Sequence, residues 1–180
     1  RNSGTTLLCT LYKYIGEPLK SLLKDVKEAT MKNIEKEFEK IKQVASEQGN
    51  NNTNNNQKEN NELIDSLFPK VDLSKKITSK MLKDLSEGKW QLKKEIIEQI
   101  ESFITEANNR ILSNGLNELM TILKRILKDS NKNIVRFVLQ LIIHFTDALG
   151  VSMKIYVKNL LQPIIKNLSD KMDLLRKDTV

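Results

Sequence analysis

From Ile77 onward, apolar residues recur three or four positions apart, in runs separated by short polar stretches. Ile77, Met81, Leu82 and Leu85 make the first run, and Ile96, Ile97, Ile100, Phe103 and Ile104 the second. Leu116, Leu119, Met120, Leu123 and Ile126 follow, then Ile134, Val135, Val138, Leu139, Ile142 and Phe145. Met153, Val157, Leu160, Leu161, Ile164 and Leu168 form the last long run, and Leu174 and Leu175 open another. This spacing places each run on one face of an α-helix, so each predicts an amphipathic helix with its stripe turned inward. Asp72-Leu73-Ser74 is expected to cap the first of them, and Gly150 to end the fourth. The first 48 residues behave alike. Leu7, Leu8, Leu11, Tyr14 and Ile15 precede a break at Gly16-Glu17-Pro18, where Gly suits a helix end and Pro a helix start. Leu19, Leu22, Leu23 and Val26 continue the stripe, and Met31, Ile34, Phe38 and Ile41 carry a further helix.

Between these helices a polar turn recurs. Its register is set by Leu85-Ser-Glu-Gly-Lys-Trp90, by Leu127-Lys-Asp-Ser-Asn-Lys-Asn-Ile-Val135 and by Leu168-Ser-Asp-Lys-Met-Asp-Leu-Leu-Arg176, with offsets of 42 (127 − 85) and 41 (168 − 127). A period near 40 residues with an apolar helix on each side of a short turn is the signature of HEAT-type repeats. The expected fold class is therefore all-α, a HEAT-repeat solenoid of helical pairs joined by short loops. Stacked pairs bury their faces against neighbours and align their turns along one edge, which is a surface for holding another protein. Three segments follow. Residues 1–48 are a helical block, 49–66 an Asn-rich linker too polar to offset chain entropy, and 67–180 the repeat array, whose last repeat lacks most of its second helix.

Composition sharpens this picture. The 180 residues carry a formal charge of +7, with pI near 9.4, and residues 72–180 hold 19 Lys and Arg against 13 Asp and Glu. Such an excess points to an acidic partner or to a lysine-rich solvated surface. Cys9 is the lone cysteine and lies in an apolar run, so a buried thiol in a reducing, cytoplasmic setting is expected. The chain opens on Arg1-Asn2-Ser3-Gly4, with no signal-peptide pattern and no Met, and reads as a piece of a longer protein. Ile134–Gly150, the most apolar stretch, is too short to span a bilayer and is interrupted by Arg136, His144 and Asp147, so no membrane partner is expected. His144 is the sole histidine, expected at the edge of a core. With no CxxC pair and no Gly-rich phosphate loop, neither a metal nor a cofactor is implied, and enzyme is the weakest function class.

The turns supply the candidate contacts. Trp90 is the only Trp, and it lies in the polar stretch Glu87-Gly88-Lys89-Trp90. It either tucks beneath its own turn or projects as an anchor, since Trp is enriched among interface hot spots. In the second turn Asp129 and Asn131 suit helix capping, which leaves Lys132 as the contact candidate. In the third, Asp170 and Arg176 are spaced to pair, leaving Lys171 to face outward.

Leu73-Ser-Lys-Lys-Ile-Thr-Ser-Lys-Met-Leu82 and Leu85-Ser-Glu-Gly-Lys-Trp-Gln-Leu-Lys-Lys-Glu95 resemble the first repeat of a TOG domain, the module of the tumour-overexpressed-gene family of microtubule polymerases. Asp129-Ser-Asn-Lys-Asn-Ile-Val135, Ala148-Leu-Gly150 and Val157-Lys-Asn-Leu160 are similar to the second repeat and the start of the third. Leu7-Leu-Cys-Thr-Leu-Tyr-Lys-Tyr-Ile-Gly16 and Ile34-Glu-Lys-Glu-Phe-Glu-Lys40 resemble the last repeat of a preceding TOG domain. The resemblance implies a helical solenoid that binds αβ-tubulin through its turns, beside neighbouring TOG domains, in the cytoplasm at microtubule ends, spindle poles or the centrosome. Carried over by position, it makes Trp90 and Lys89 the first contact, Asn131, Lys132 and Ile134 the second, and Lys171 the third. Lys93 stands where the family often has Arg, and Met172 where it has Lys. Two other readings remain open at this point. One is a scaffold that touches no tubulin, favoured by a buried Trp90. The other is a basic nucleic-acid binder with steep salt dependence, which a lone Trp and the lack of an Arg-rich stripe disfavour.

Overall fold

In the computed structural model, the described residues are 3–24, 26, 28–48 and 69–169, and they form an all-α protein built as a helical-repeat array. The helices are α1 (Ser3–Ile15), α2 (Pro18–Leu22), α3 (Glu28–Gln48), α4 (Ser79–Glu87), α5 (Trp90–Glu106), α6 (Asn117–Ile126), α7 (Lys132–Leu149) and α8 (Lys154–Ser169). Short 3-10 turns cover Leu73–Lys75 and Gly150–Met153. The linker segment 49–66 and the third turn, with Asp170, Lys171, Met172, Leu174, Leu175 and Arg176, lie outside the described residues.

The expected stripes become the core. Leu85, Ile96, Ile97, Ile100, Ile104, Leu119, Leu123, Val135, Val138, Ile142, Phe145, Leu160 and Ile164 are all buried. Helix α7 is buried on nearly every side, because it lies between two neighbours rather than at an edge. The apolar stretch Lys132–Asn167 is two helices broken at Gly150, and more than half of its most apolar window is taken up by the core.

Two layers result. Helices α4, α6 and α8 start at 79, 117 and 154, giving offsets of 38 and 37 (117 − 79 and 154 − 117). They run side by side and in the same direction. The C-terminal ends of α4 and α6 meet where an Arg125 guanidinium N–H donates to Ser86 Oγ. Helices α5 and α7 form the second layer, in parallel register. The Lys94 ammonium sits 5.4 Å from the centre of the Phe137 ring, and Glu101 Oε1 lies 3.4 Å from His144 Nδ1. Burial raises the Glu101 pKa, an effect only partly offset by the nearby imidazole. His144 itself is about half exposed, at 52%, so it belongs to this surface pair rather than to the core edge.

The start of α4 departs from the sequence reading. Asp72 caps only the 3-10 turn, its Oδ1 accepting from Ser74 N at 2.9 Å, while α4 begins later and is capped by Thr78, whose Oγ1 accepts from Met81 N at 3.2 Å. The reason is the segment before it. Val71 pairs with the turn after α5, its N–H donating to Arg110 O and its carbonyl accepting from Leu112 N. The chain must turn once more before it can enter the helix layer.

Residues 3–24 belong to the same core. Helix α1 packs on α7 and α8, and α3 packs against the outer side of α1. Tyr12 stacks on Phe38 with ring centres 4.0 Å apart, and its hydroxyl donates to Glu17 Oε1 at 2.6 Å. Lys42 Nζ reaches the same oxygen at 2.6 Å. Gly16 takes φ +73 at the end of α1, and Pro18 opens α2.

Candidate functional site

The turn between α4 and α5 is tight. Gly88 N–H donates to Asp84 O at 2.8 Å, closing the last turn of α4. A Cβ on Gly88 would lie 2.4 Å from that carbonyl oxygen and 3.0 Å from Leu92, so no larger residue fits without a shift. Lys89 is the N-cap of α5 in extended conformation and makes no side-chain cap bond. Trp90 is thus not a loop residue but the first residue of a helix. Its side chain leaves the fold there at 46% exposure, while Leu92, two residues on and so on another face of the helix, is 38% exposed.

The turn between α6 and α7 is held by its own polar groups. Asp129 Oδ1 accepts from Asn131 N at 2.9 Å, and Asn131 Oδ1 accepts from Asn133 N at 3.1 Å, which caps α7. Asn131 is partly buried and its oxygen is committed to that cap. Lys132 begins α7 and is partly exposed. Ile134 is 1% exposed and lies in the core, so its side chain anchors the helix start and offers no surface to a partner in this conformation.

Three braces bring successive turns to one edge. The Arg125–Ser86 bond joins the end of α6 to the end of α4. Lys93 Nζ stands 4.0 Å from Asp129 Oδ2, with the lysine side chain only 14% exposed, linking the start of α5 to the second turn. Asn167 is 6% exposed, and its Nδ2 donates to Leu127 O at 2.7 Å and to Pro163 O at 2.8 Å, tying the end of α8 to the same turn. Trp90, Lys89, Asn131 and Lys132 therefore share one rim. Lys171 falls outside the described residues.

Sequence reasoning missed Leu92 and the braces. The signal for Leu92 points the other way: it lies four residues before Ile96 and eight before Ile100, on the buried stripe, yet at the start of the helix it is 38% exposed. The braces left no local signal, since each joins residues 36 to 40 apart. Lys89, Lys128 and Lys132 flank these turns beside Glu87 and Asp129, so the rim is weakly basic, three lysines against two carboxylates. An exposed aromatic beside cations on a stiff edge can grip an acidic surface with an apolar notch.

A helical-repeat protein with a loop-lined rim is the class these features define. A family model described as dynein axonemal assembly factor 5-like, TPR repeats, matches residues 12–180. Protein MOR1 of Arabidopsis thaliana is 33% identical over 182 residues, covering 100% of this chain and 9% of its own length. Centrosomal protein 224 of Dictyostelium discoideum is 31% identical over 150 residues, covering 83% of this chain and 7% of its own. Protein mini spindles of Drosophila melanogaster is 28% identical over 110 residues, 61% of this chain and 5% of its own length. No solved structure matches significantly. The chain belongs to this helical-repeat family and is a segment of the TOG family to which MOR1 and mini spindles belong. It spans less than a tenth of the length of these relatives, at 9% and 7% of the first two.

Proposed function

We propose that this segment is a non-enzymatic binding module that holds αβ-tubulin on its rim, within a longer microtubule-associated protein of the cytoskeleton. The exposed indole of Trp90 carries the reading: a large aromatic at 46% exposure, at the head of a braced basic edge, is what a protein anchor requires. Lys89 and Lys132 supply attraction to an acidic partner, and Asn131 shapes the second turn. Membership of the TOG family supports tubulin as that partner, and the names of Centrosomal protein 224 and mini spindles support placement at centrosome or spindle.

Co-migration of the chain with αβ-tubulin in size-exclusion chromatography, at low and moderate salt, tests this. Trp90→Ala is expected to weaken binding by about thirtyfold, the loss of a hot spot of about 2 kcal/mol, with unchanged helicity. Ile100→Ala, in the core at 0% exposure, should instead lower stability by about 2–5 kcal/mol. Co-migration of the Trp90 variant indistinguishable from the parent would remove the anchor. Binding to any oligonucleotide with a steep salt slope, and none to tubulin, would favour the nucleic-acid reading.

A further inference from the structure

Most of the basic excess of residues 72–180 sits away from the rim, on the first layer. Helices α6 and α8 carry Lys124, Arg125, Lys154, Lys158 and Lys166 against Glu118, and no carboxylate lies in α8. Helix α5 of the second layer reverses the balance, with Lys93 and Lys94 against Glu95, Glu98, Glu101 and Glu106. The array is thus charged by side, and its first layer attracts anions.

The same side carries a groove. The Tyr156 hydroxyl ties the start of α8 to the turn before α6 by donating to Ser113 O, and Asn167 ties the end of α8 to Leu127 O, just past α6. Between these ties a groove of about 280 Å³ opens to solvent, bordered by Asn117, Thr121 and Lys124 of α6 and by Ile155 and Asn159 of α8. Tyr156, 4% exposed, forms its floor. The space is small beside the sites that hold cofactors and suits a side chain. Ile155 is 60% exposed and Val151, four residues before it, 58%, both more than Trp90 at 46%.

We propose that the α6–α8 groove is a second docking site, separate from the rim, for an acidic peptide segment that carries one bulky aliphatic residue. The aliphatic side chain lies against Ile155 above the Tyr156 floor, the carboxylates meet Lys124 and Lys158, and the Asn117 and Asn159 amides bond the peptide backbone. Charge complementarity selects the acidic segment, and the exposed isoleucine selects the aliphatic residue within it. A polynucleotide would need stacking aromatics and available guanidinium groups, whereas Tyr156 is buried with its hydroxyl engaged and Arg125 is bonded to Ser86. A membrane surface would need a broader apolar face than two aliphatic side chains. The site does not rest on tubulin binding at the rim.

Fluorescence anisotropy of the full chain with a labelled peptide of glutamates around one central leucine tests it. Ile155→Ser should weaken binding about tenfold, and so should replacing the peptide's leucine by alanine, while both changes together should cost little more than either alone. Lys124→Gln with Lys158→Gln should weaken both peptides and flatten the salt dependence. Trp90→Ala should leave peptide binding unchanged, which separates this groove from the rim. Full binding by the Ile155→Ser chain, losses that simply add, or a loss with Trp90→Ala would overturn the site. Tighter binding of a single-stranded oligonucleotide, or of vesicles rich in anionic lipid, abolished by the same lysine substitutions, would assign the face to that partner and overturn it as well.

Discussion

Glu17 shows how much one exposed carboxylate can organise. Its oxygens accept from Tyr12 and meet Lys42 and Lys20, and these partners, Lys42 foremost, hold its pKa down to about 2. Lys42 is raised in return by the same carboxylate. A carboxyl depressed below its ordinary 4.5 contributes stability that is complete above that value and fades as pH falls toward about 2. Acid titration followed by the near-ultraviolet circular dichroism of the stacked Tyr12 should therefore show the α1–α3 contact loosening in that window, and Glu17→Gln should flatten the dependence. A profile unchanged by Glu17→Gln would deny the carboxylate this part. Gly88 acts at the same scale through its missing side chain. Gly88→Ala should displace the α4–α5 turn and reduce tubulin co-migration more than its effect on helicity explains, because the added methyl meets backbone oxygen rather than a side chain that can swing away. Full binding by this variant would show that the turn tolerates the shift.

Among elements, α8 is the one whose attachment is most exposed to a single change. Pro163 lies inside it and cannot donate to the preceding turn, and Asn167 reaches across to Leu127 O while also bonding Pro163 O. Asn167→Leu keeps the volume but leaves two carbonyls without that donor. The expected cost is about 1–3 kcal/mol in chemical denaturation, the usual penalty for an unsatisfied buried polar group. A smaller loss would mean that water replaces the amide. The helices themselves were legible in the sequence because a 3.6-residue stripe needs only local order. Ile96, Ile97, Ile100 and Ile104 are buried where the stripe puts them. Their caps were less so: Asp72 and Thr78 both suit an N-cap, and the choice was made by Val71 pairing with Arg110 and Leu112, far downstream in the chain.

At the scale of the molecule, periodicity told that the turns share an edge but not what covers α7. An apolar stripe states that a face must be covered and is silent about which helix covers it, so the docking of α1 appears only in three dimensions. The same holds for the rim: Trp90 could be singled out as the lone indole, whereas Ile134 is drawn into the core by the helix that its own turn begins. The braces have a further effect. Because Ser86–Arg125 and Lys93–Asp129 tie the first turn to the second, and Leu127–Asn167 ties the end of α8 to the second, the spacing of these points along the edge is fixed by the fold itself. Such an edge behaves as a ruler: little ordering entropy is lost on contact, and a surface whose ridges repeat at another pitch engages one turn and misses the next.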